Sequence, residues 1–484
     1  MPTDRIYDLR SFIRRLEEEG ELSRVKVEVN WDLELGAVAR KAYGPPMLPA
    51  LLFENIKGYD TPLFTGGVAT FRRIAIALGM PPESDENTIV AEYLKRMEKP
   101  LKPVLVEDGP CKENKLFGPD VDVLKFPVPR WAENDGGRYI GTWNQVVMRD
   151  PETGWINVGT YRMMVHEPDV CGLLISPSQH IGMIQKKYAD MNRKMPVAVV
   201  IGFDPVGMFV SAAPIPAYVD EWDIAGGLRG KPIEMVKCET VDLEVPAYSE
   251  IVLEGEVSME DLRSEGPFGE HTGYYGGGIK KLPTVKIKCI THRNNPVLRG
   301  TAVGVPVTEQ TRLSGLAWTT SALSMYKNAG FPGITAINCP AGGDPEYSAI
   351  IAIKKSYPSQ ALDAGRLFLS SKVGNQMKHI IVVDDDIDVY NLEQVLWAFN
   401  MRVQAGRDIY ITSNESGSRL DPSVPHEQIG LTDKMIVDAT WNTTHKFPPR
   451  PEWGGKVFPP LVETGPEMLE YINKKWHEYG IGRK

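Results

Sequence analysis

Pro283-Thr284-Val285-Lys286-Ile287-Lys288-Cys289-Ile290-Thr291 places Val285, Ile287 and Cys289 on one side and Lys286 and Lys288 on the other. That alternation is the signature of a strand with one dry face and one wet face. Similar β-prone runs bounded by Gly, Pro and Asp lie upstream: Trp143–Met148, Ile156–Val165, Val197–Gly202 and Leu243–Val245. Several strands with few helices between them predict an antiparallel sheet or barrel-like body from about residue 140 to about residue 300. The pattern differs on either side of it. Residues 3–19 read as an amphipathic helix, with Ile6, Leu9, Phe12, Ile13 and Leu16 in register and Gly20 as the C-cap. Residues 45–130 are rich in Pro and short apolar runs, which predicts short strands and connections. Leu313–Lys327 reads as a helix. Beyond it, buried strands at Ile350–Lys354 and Ile380–Asp384 alternate with helices such as Asn391–Arg402, whose apolar face is Leu392, Val395, Leu396 and Phe399. Strand–helix alternation predicts an α/β domain. Residues 449–464 read as an extended arm. The last helix, 465–479, carries Met468, Leu469, Ile472 and Trp476 on one side, ready to dock on a partner subunit or on its own domain.

The composition is that of an ordinary globular protein: 484 residues, 42% hydrophobic and 24% charged. A net charge of −9 gives no global basic field for nucleic acid or an anionic membrane. Five cysteines without a C-x-x-C argue against a disulfide framework or a thiolate zinc site, so a reducing cytoplasm is expected. The N-terminus lacks an apolar signal core, and no apolar run is long enough for a membrane span.

Chemistry concentrates in a few stretches. Ser264-Glu265-Gly266-Pro267-Phe268-Gly269-Glu270-His271 sets two carboxylates around a turn that no helix or regular strand can cross. Such a loop can aim both acids at one cavity, the arrangement of general acid–base work, or it can leave them solvated. Trp155-Ile156-Asn157-Val158-Gly159-Thr160-Tyr161-Arg162 buries polar groups in an apolar strand. Its Arg is either a clamp for a carboxylate or half of a structural ion pair. Asn157 and Arg162 have opposite strand parity, so they act on different faces or Gly159 allows a bulge. Gln179-His180 and Asp220-Glu221-Trp222 complete the candidates. Asn, His and Glu together suit Mn²⁺ or Mg²⁺. Phosphate-loop, dinucleotide, H-E-x-x-H and G-x-S-x-G motifs are absent. The acidic run Asp384-Asp385-Asp386-Ile387-Asp388 is expected to close a strand and cap the Asn391 helix.

In their order and spacing these pieces resemble the UbiD family of prenylated-FMN-dependent reversible (de)carboxylases. The resemblance covers essentially the whole chain. It implies an α+β / α/β architecture: residues 1–310 form a flavin- and metal-binding region with a split β-barrel-like sheet, 311–330 a linking helix, 331–448 a C-terminal α/β domain for oligomerisation and pocket closure, and 449–484 an arm with a helix. Carried over by position, Arg162, Glu265 and Glu270 are the catalytic set. Asn157, His180 and Glu221 match the ligands of a divalent metal, usually Mn²⁺, that bridges to the cofactor phosphate. Tyr161, Gln179 and Lys372 join Asn157, Arg162, His180 and Glu221 around the cofactor. K⁺ is expected near Ser211–Glu221.

The implied reaction is non-oxidative decarboxylation of an aromatic, heteroaromatic or α,β-unsaturated acid through a covalent adduct to prenylated FMN. Arg162 would orient the carboxylate, and Glu270 would deliver the proton, which requires it to be protonated at working pH. The implied partners are the acid and CO₂, a flavin prenyltransferase that supplies the cofactor, and further copies of the chain in a homodimer or larger homo-oligomer. Asn375, Gln376 and His445 are candidates for the substrate pocket, completed by Val305–Leu316 and the segment around Trp441–Phe447. The amides favour a phenolic or heteroaromatic acid. Two alternatives stay open: a physiological carboxylase component of a larger complex, and a non-catalytic flavin-binding assembly subunit.

Overall fold

The structure, a computed structural model, describes residues 6–441, 448–462 and 464–481. The alternating stretch is a strand, Lys280–His292. Val285, Ile287 and Cys289 are buried, and Lys286 and Lys288 are exposed. It pairs antiparallel with Ile251–Glu265, so the two longest strands form one hairpin. Around this hairpin grows a nine-stranded sheet. Its path runs Tyr139–Gly141, Met163–Glu167, Val170–Gly172, Lys280–His292, Ile251–Glu265, Met195–Ile201, Asn144–Arg149, Ile156–Gly159, with Asn114–Phe117 paired off the side.

The expected continuous run Ile156–Val165 is broken. The chain leaves Ile156–Gly159 at one end of the path, crosses Thr160-Tyr161-Arg162, and enters Met163–Glu167, next to last at the opposite end. The four steps from Gly159 to Met163 span at most about 14 Å. The sheet therefore curls until its two ends nearly meet, giving a split half-barrel. Asn144 Nδ2 stitches the seam by donating to the Tyr161 carbonyl at 3.1 Å. The parity conflict between Asn157 and Arg162 disappears, because only Asn157 lies within a strand.

The N-terminal helix covers Leu9–Glu18. Asp8 and Ser11 form its capping box, and Gly20 just beyond it has φ +72. Residues 3–5 of the expected helix lie outside the described residues. Leu9, Phe12, Ile13 and Leu16 are buried against a small four-stranded sheet, Leu22–Val25, Ala50–Phe53, Leu63–Thr65 and Leu298–Arg299.

The helix expected at 311–330 begins earlier, as Glu309–Asn328, because Thr308 and Thr311 close a capping box there. Its 20 residues carry the chain about 30 Å to the C-terminal sheet. That sheet is five-stranded: Ile334–Asn338, Ser348–Ile353, His379–Asp384, Leu431–Ala439, Ile409–Ser416. Its inner pairings are parallel and its outer ones antiparallel. The acidic run does not cap the following helix. Asn391 does, accepting from the amides of Glu393 and Gln394, while Asp384 and Asp386 hold the buried Arg402. On that helix Val395 is buried, but Leu392 and Leu396 are exposed. The last helix is Pro466–Lys474, followed by a turn at Trp476–Tyr479, and Met468, Leu469, Tyr471 and Trp476 are exposed. Among the described residues, no helix is long and apolar enough to cross a membrane.

Candidate active site

Arg162 lies in the seam of the half-barrel, and the hairpin brings its partners to it. Glu265 is the last residue of Ile251–Glu265, and Glu270 lies in the loop that leads back to Lys280. Arg162 Nε and Nη2 donate to Glu265 Oε1 and Oε2 at 2.9 and 2.8 Å, a bidentate pair. Its remaining nitrogen, Nη1, donates to Glu270 Oε1. Both carboxylates and the guanidinium are buried: the side chains of Arg162, Glu265 and Glu270 are 8%, 1% and 10% exposed. Burial opposes the charge on Arg162, but Glu270 and Glu265 more than restore it and raise its pKa above the ordinary value. Phe268 lies under the guanidinium, 5.2 Å from ring centre to Cζ.

The loop between the two long strands is held tightly. Gly266 has φ +89, and a Cβ there would come within 2.4 Å of the Gly278 carbonyl. Asp135 Oδ1 accepts from the Gly269 amide at 3.0 Å, and the Gly136 amide donates to the Pro267 carbonyl at 2.8 Å. Gly277 lies against the acid itself: a Cβ there would be 3.0 Å from Glu270 Oε1 and 3.8 Å from Leu420 Cδ2. Sequence reasoning missed Asp135, Gly277 and Leu420. The short runs Asp135-Gly136-Gly137 and Gly276-Gly277-Gly278 are the local hints of a close backbone approach.

A second polar cluster stands at the strand end of the seam. Asn157, on Ile156–Gly159, donates through Nδ2 to Glu221 Oε1 at 2.8 Å, and Nδ2 lies 3.3 Å from His180 Nδ1. Glu221 opens the helix Glu221–Arg229, His180 opens His180–Asp190, and Glu221 also accepts from the Val158 amide at 3.0 Å. Burial pushes the Glu221 carboxyl up to about 8. Burial, with the charge of Lys372 adding to it, pushes His180 down to about 4. Asn157 Oδ1 is buried and has no hydrogen-bond partner. An orphaned amide oxygen, a buried carboxylate and a neutral imidazole are the donors a hard-to-borderline divalent cation takes, so the residues present fit one.

Lys372 reaches this cluster from beyond the helix Gln360–Ser370. Its Nζ is 3.3 Å from His180 Nε2, so an anion such as a phosphate would meet a cation there. Tyr161 is buried, its ring closely covering Gly159, where a Cβ would come within 2.5 Å. Gln179 precedes His180 as the helix N-cap, with its side chain exposed. Asn375 and Gln376 follow Lys372 on an exposed turn. No contact among the described residues joins their side chains to Arg162. The Asn375 carbonyl instead accepts from the buried Lys434 at 2.6 Å. His445 and most of Trp441–Phe447 lie outside the described residues.

Comparison with known proteins identifies the family. The N-terminal, Rift-related and C-terminal domains of 3-octaprenyl-4-hydroxybenzoate carboxy-lyase match residues 13–97, 102–306 and 314–439 in turn. A phenolic acid decarboxylase of Sedimentibacter hydroxybenzoicus is 36% identical, over 90% of this chain and 91% of its own. A pyrrole-2-carboxylic acid decarboxylase of Pseudomonas aeruginosa is 32% identical over 98% of both. The UbiD-class enzyme HmfF of Pelotomaculum thermopropionicum, solved in complex with FMN, superposes with a TM-score of 0.84 at 34% identity, covering 96% of this chain and 100% of its own. An evolved dimeric form of HmfF, solved with prFMN, superposes at 0.80 with 32% identity, over 91% and 96%. With all three domains present in order and such relatives matched along nearly its whole length, the chain belongs to the UbiD family of carboxy-lyases.

Proposed function

We propose that the chain catalyses the reversible, non-oxidative decarboxylation of a phenolic or heteroaromatic acid, with Arg162, Glu265 and Glu270 as its catalytic set. The observation that carries this reading is the division of labour on one buried guanidinium. Glu265 takes two of its nitrogens in a fixed fork, and the third faces Glu270. A substrate carboxylate would enter at that third nitrogen and displace Glu270 from it. Having lost that N–H to a neighbouring like charge, Glu270 is favoured in its protonated form. Glu270 is then the group that hands its proton to the substrate carbon once CO₂ has left, and takes it back in the reverse direction. Glu265 stays on Arg162 throughout and sets its angle. Gly277 and Leu420 lie beside the acid.

Prenylated FMN, when bound, supplies the electron sink for the carbon that loses CO₂. Asn157, His180 and Glu221 would hold Mn²⁺ or Mg²⁺, and Lys372, with Tyr161 and Gln179 nearby, would face the cofactor's phosphate. We read K⁺ beside Ser211–Glu221 as part of the same arrangement. The relatives named for phenolic and pyrrole-2-carboxylic acids support a polar aromatic substrate over a plain cinnamic acid. Asn375 and Gln376 are our candidates at the rim of its pocket.

The test is a panel. Protein made together with a flavin prenyltransferase is given phenolic, heteroaromatic and cinnamic acids, and CO₂ release is followed alongside exchange of labelled bicarbonate into the acid. Turnover confined to polar aromatic acids, with prenylated FMN released on denaturation, is expected. A flavin-free protein that turns over none of them overturns the reading and favours the assembly-subunit alternative.

We further propose that the active form is a homo-oligomer. Leu461, Met468, Leu469, Tyr471 and Trp476 leave a run of apolar surface along the C-terminal arm. Ending the chain at residue 448 is expected to lower the mass measured by light scattering to that of a smaller assembly. An unchanged mass would remove the arm from the interface.

A further inference from the structure

His271 follows Glu270 in the chain, and the mechanism above makes no use of it. Its side chain is buried, 10% exposed. Nδ1 lies 2.7 Å from Asp344 Oδ2, and Nε2 lies 4.0 Å from Glu346 Oε2. Both acids belong to the loop between Ile334–Asn338 and Ser348–Ile353, at the edge of the C-terminal sheet. That loop is built around Asp344. Its Oδ1 accepts from the Glu346 amide at 3.1 Å, its carbonyl accepts from the Tyr347 amide at 2.9 Å, and its φ is +57. Glu270 is the third acid facing the ring. Burial works against a charged imidazole, but Glu346, Asp344 and Glu270 together outweigh it and push the ring up to about 10. The loop that carries Glu270 is thus held from two sides. Asp135 and Gly136 hold it on the half-barrel side, and His271 ties it to the C-terminal sheet.

We propose that His271 is a positioning residue whose ion pair with Asp344 and Glu346 makes the seat of Glu270 depend on the docking of the C-terminal sheet against the half-barrel. This rests on Glu270 being the proton donor. The consequence is a site that is complete only when the two parts are together, so the acid is withdrawn whenever they separate. The pH dependence has a definite sign. His271 titrates above its ordinary value of 6.5 in the folded chain. Its contribution is therefore whole below about 6.5 and is lost as pH rises through about 10.

The test uses the full-length chain with flavin bound, as His271→Asn, Asp344→Asn and the double variant. Amide exchange at residues 264–278 and 339–347 is expected to quicken at least tenfold in each single variant, with no further gain in the double. The gap in Tm between wild type and His271→Asn should be widest at or below pH 6.5 and close towards pH 10. Turnover of vanillic and pyrrole-2-carboxylic acids, used as probes, should fall about tenfold in kcat with KM little changed. A pH-independent gap in Tm with unaltered exchange would reduce His271 to packing and overturn the proposal, as would additive effects in the double variant. If His271→Asn does not fold, Asp344→Asn and His271→Gln carry the same comparison. Glu270→Gln, run alongside, separates the two ideas. Full turnover there removes the proton-donor reading, whereas unaltered exchange in His271→Asn removes only the tie.

Discussion

Glu270→Gln is expected to abolish decarboxylation and to abolish hydrogen–deuterium exchange at the product carbon, while flavin content stays at the wild-type level. The substitution keeps the shape of the side chain and one oxygen for Arg162 Nη1, so the loop has no reason to move. What it removes is the exchangeable carboxyl proton. Loss of a positioned general acid costs roughly a hundred- to ten-thousand-fold in rate. Exchange is the sharper of the two measurements, because it reports proton delivery without requiring net loss of CO₂. A Glu270→Gln enzyme that exchanges at the wild-type rate would end the assignment of this residue. Glu265→Gln gives the contrast: it keeps a possible proton donor at position 270 but loosens Arg162, so its defect should fall on substrate affinity as well as on rate.

Arg162→Ala is expected to damage both stability and activity. It leaves Glu265, whose side chain is 1% exposed, and Glu270 without the guanidinium they share. Removing one partner of a buried ion pair costs about 3–5 kcal/mol, because the abandoned charge keeps its desolvation penalty. The denaturation midpoint should therefore fall clearly. Adding Glu265→Gln to Arg162→Ala should recover much of the stability and none of the activity. If the double variant recovers nothing, the loss came from packing on Phe268 and not from the stranded charge. Arg162→Lys should be intermediate in stability but still inactive, since one ammonium group cannot replace a fork that satisfies both oxygens of Glu265 while offering a third donor.

What could be read from the sequence followed the distance over which the determining interactions act. The Val285, Ile287, Cys289 alternation specified its strand, because a period-two pattern is local and a half-buried sheet reinforces it. The Gly266-Pro267 turn was legible for the same reason. The break at Thr160–Arg162 was not. Thr and Tyr are good strand formers, and the chain leaves the sheet there only because its two ends must be joined. The cap on Leu392–Arg402 was misplaced, since Asp388 and Asn391 are both suitable capping residues and the choice went to the one nearer the helix, while Arg402 drew two of the acids away. The grouping of Arg162 with Glu265 and Glu270 came through the family resemblance, as did that of Asn157 with His180 and Glu221. Neither spacing alone could bring together side chains that lie far apart in the chain. The partnership of His271 with Asp344, 73 residues onward, left no mark in the sequence at all.

The seam also acts as a gauge. Asn157 belongs to one polar cluster and Arg162 to the other, and five Cα-to-Cα steps join them, which allows at most about 17 Å between their Cα atoms. That reach limits how far apart the two ends of a ligand engaging both clusters can lie, whatever its chemistry. Substitutions elsewhere in the half-barrel alter how firmly such a ligand is gripped. An insertion or deletion within Thr160-Tyr161-Arg162 would alter the reach itself.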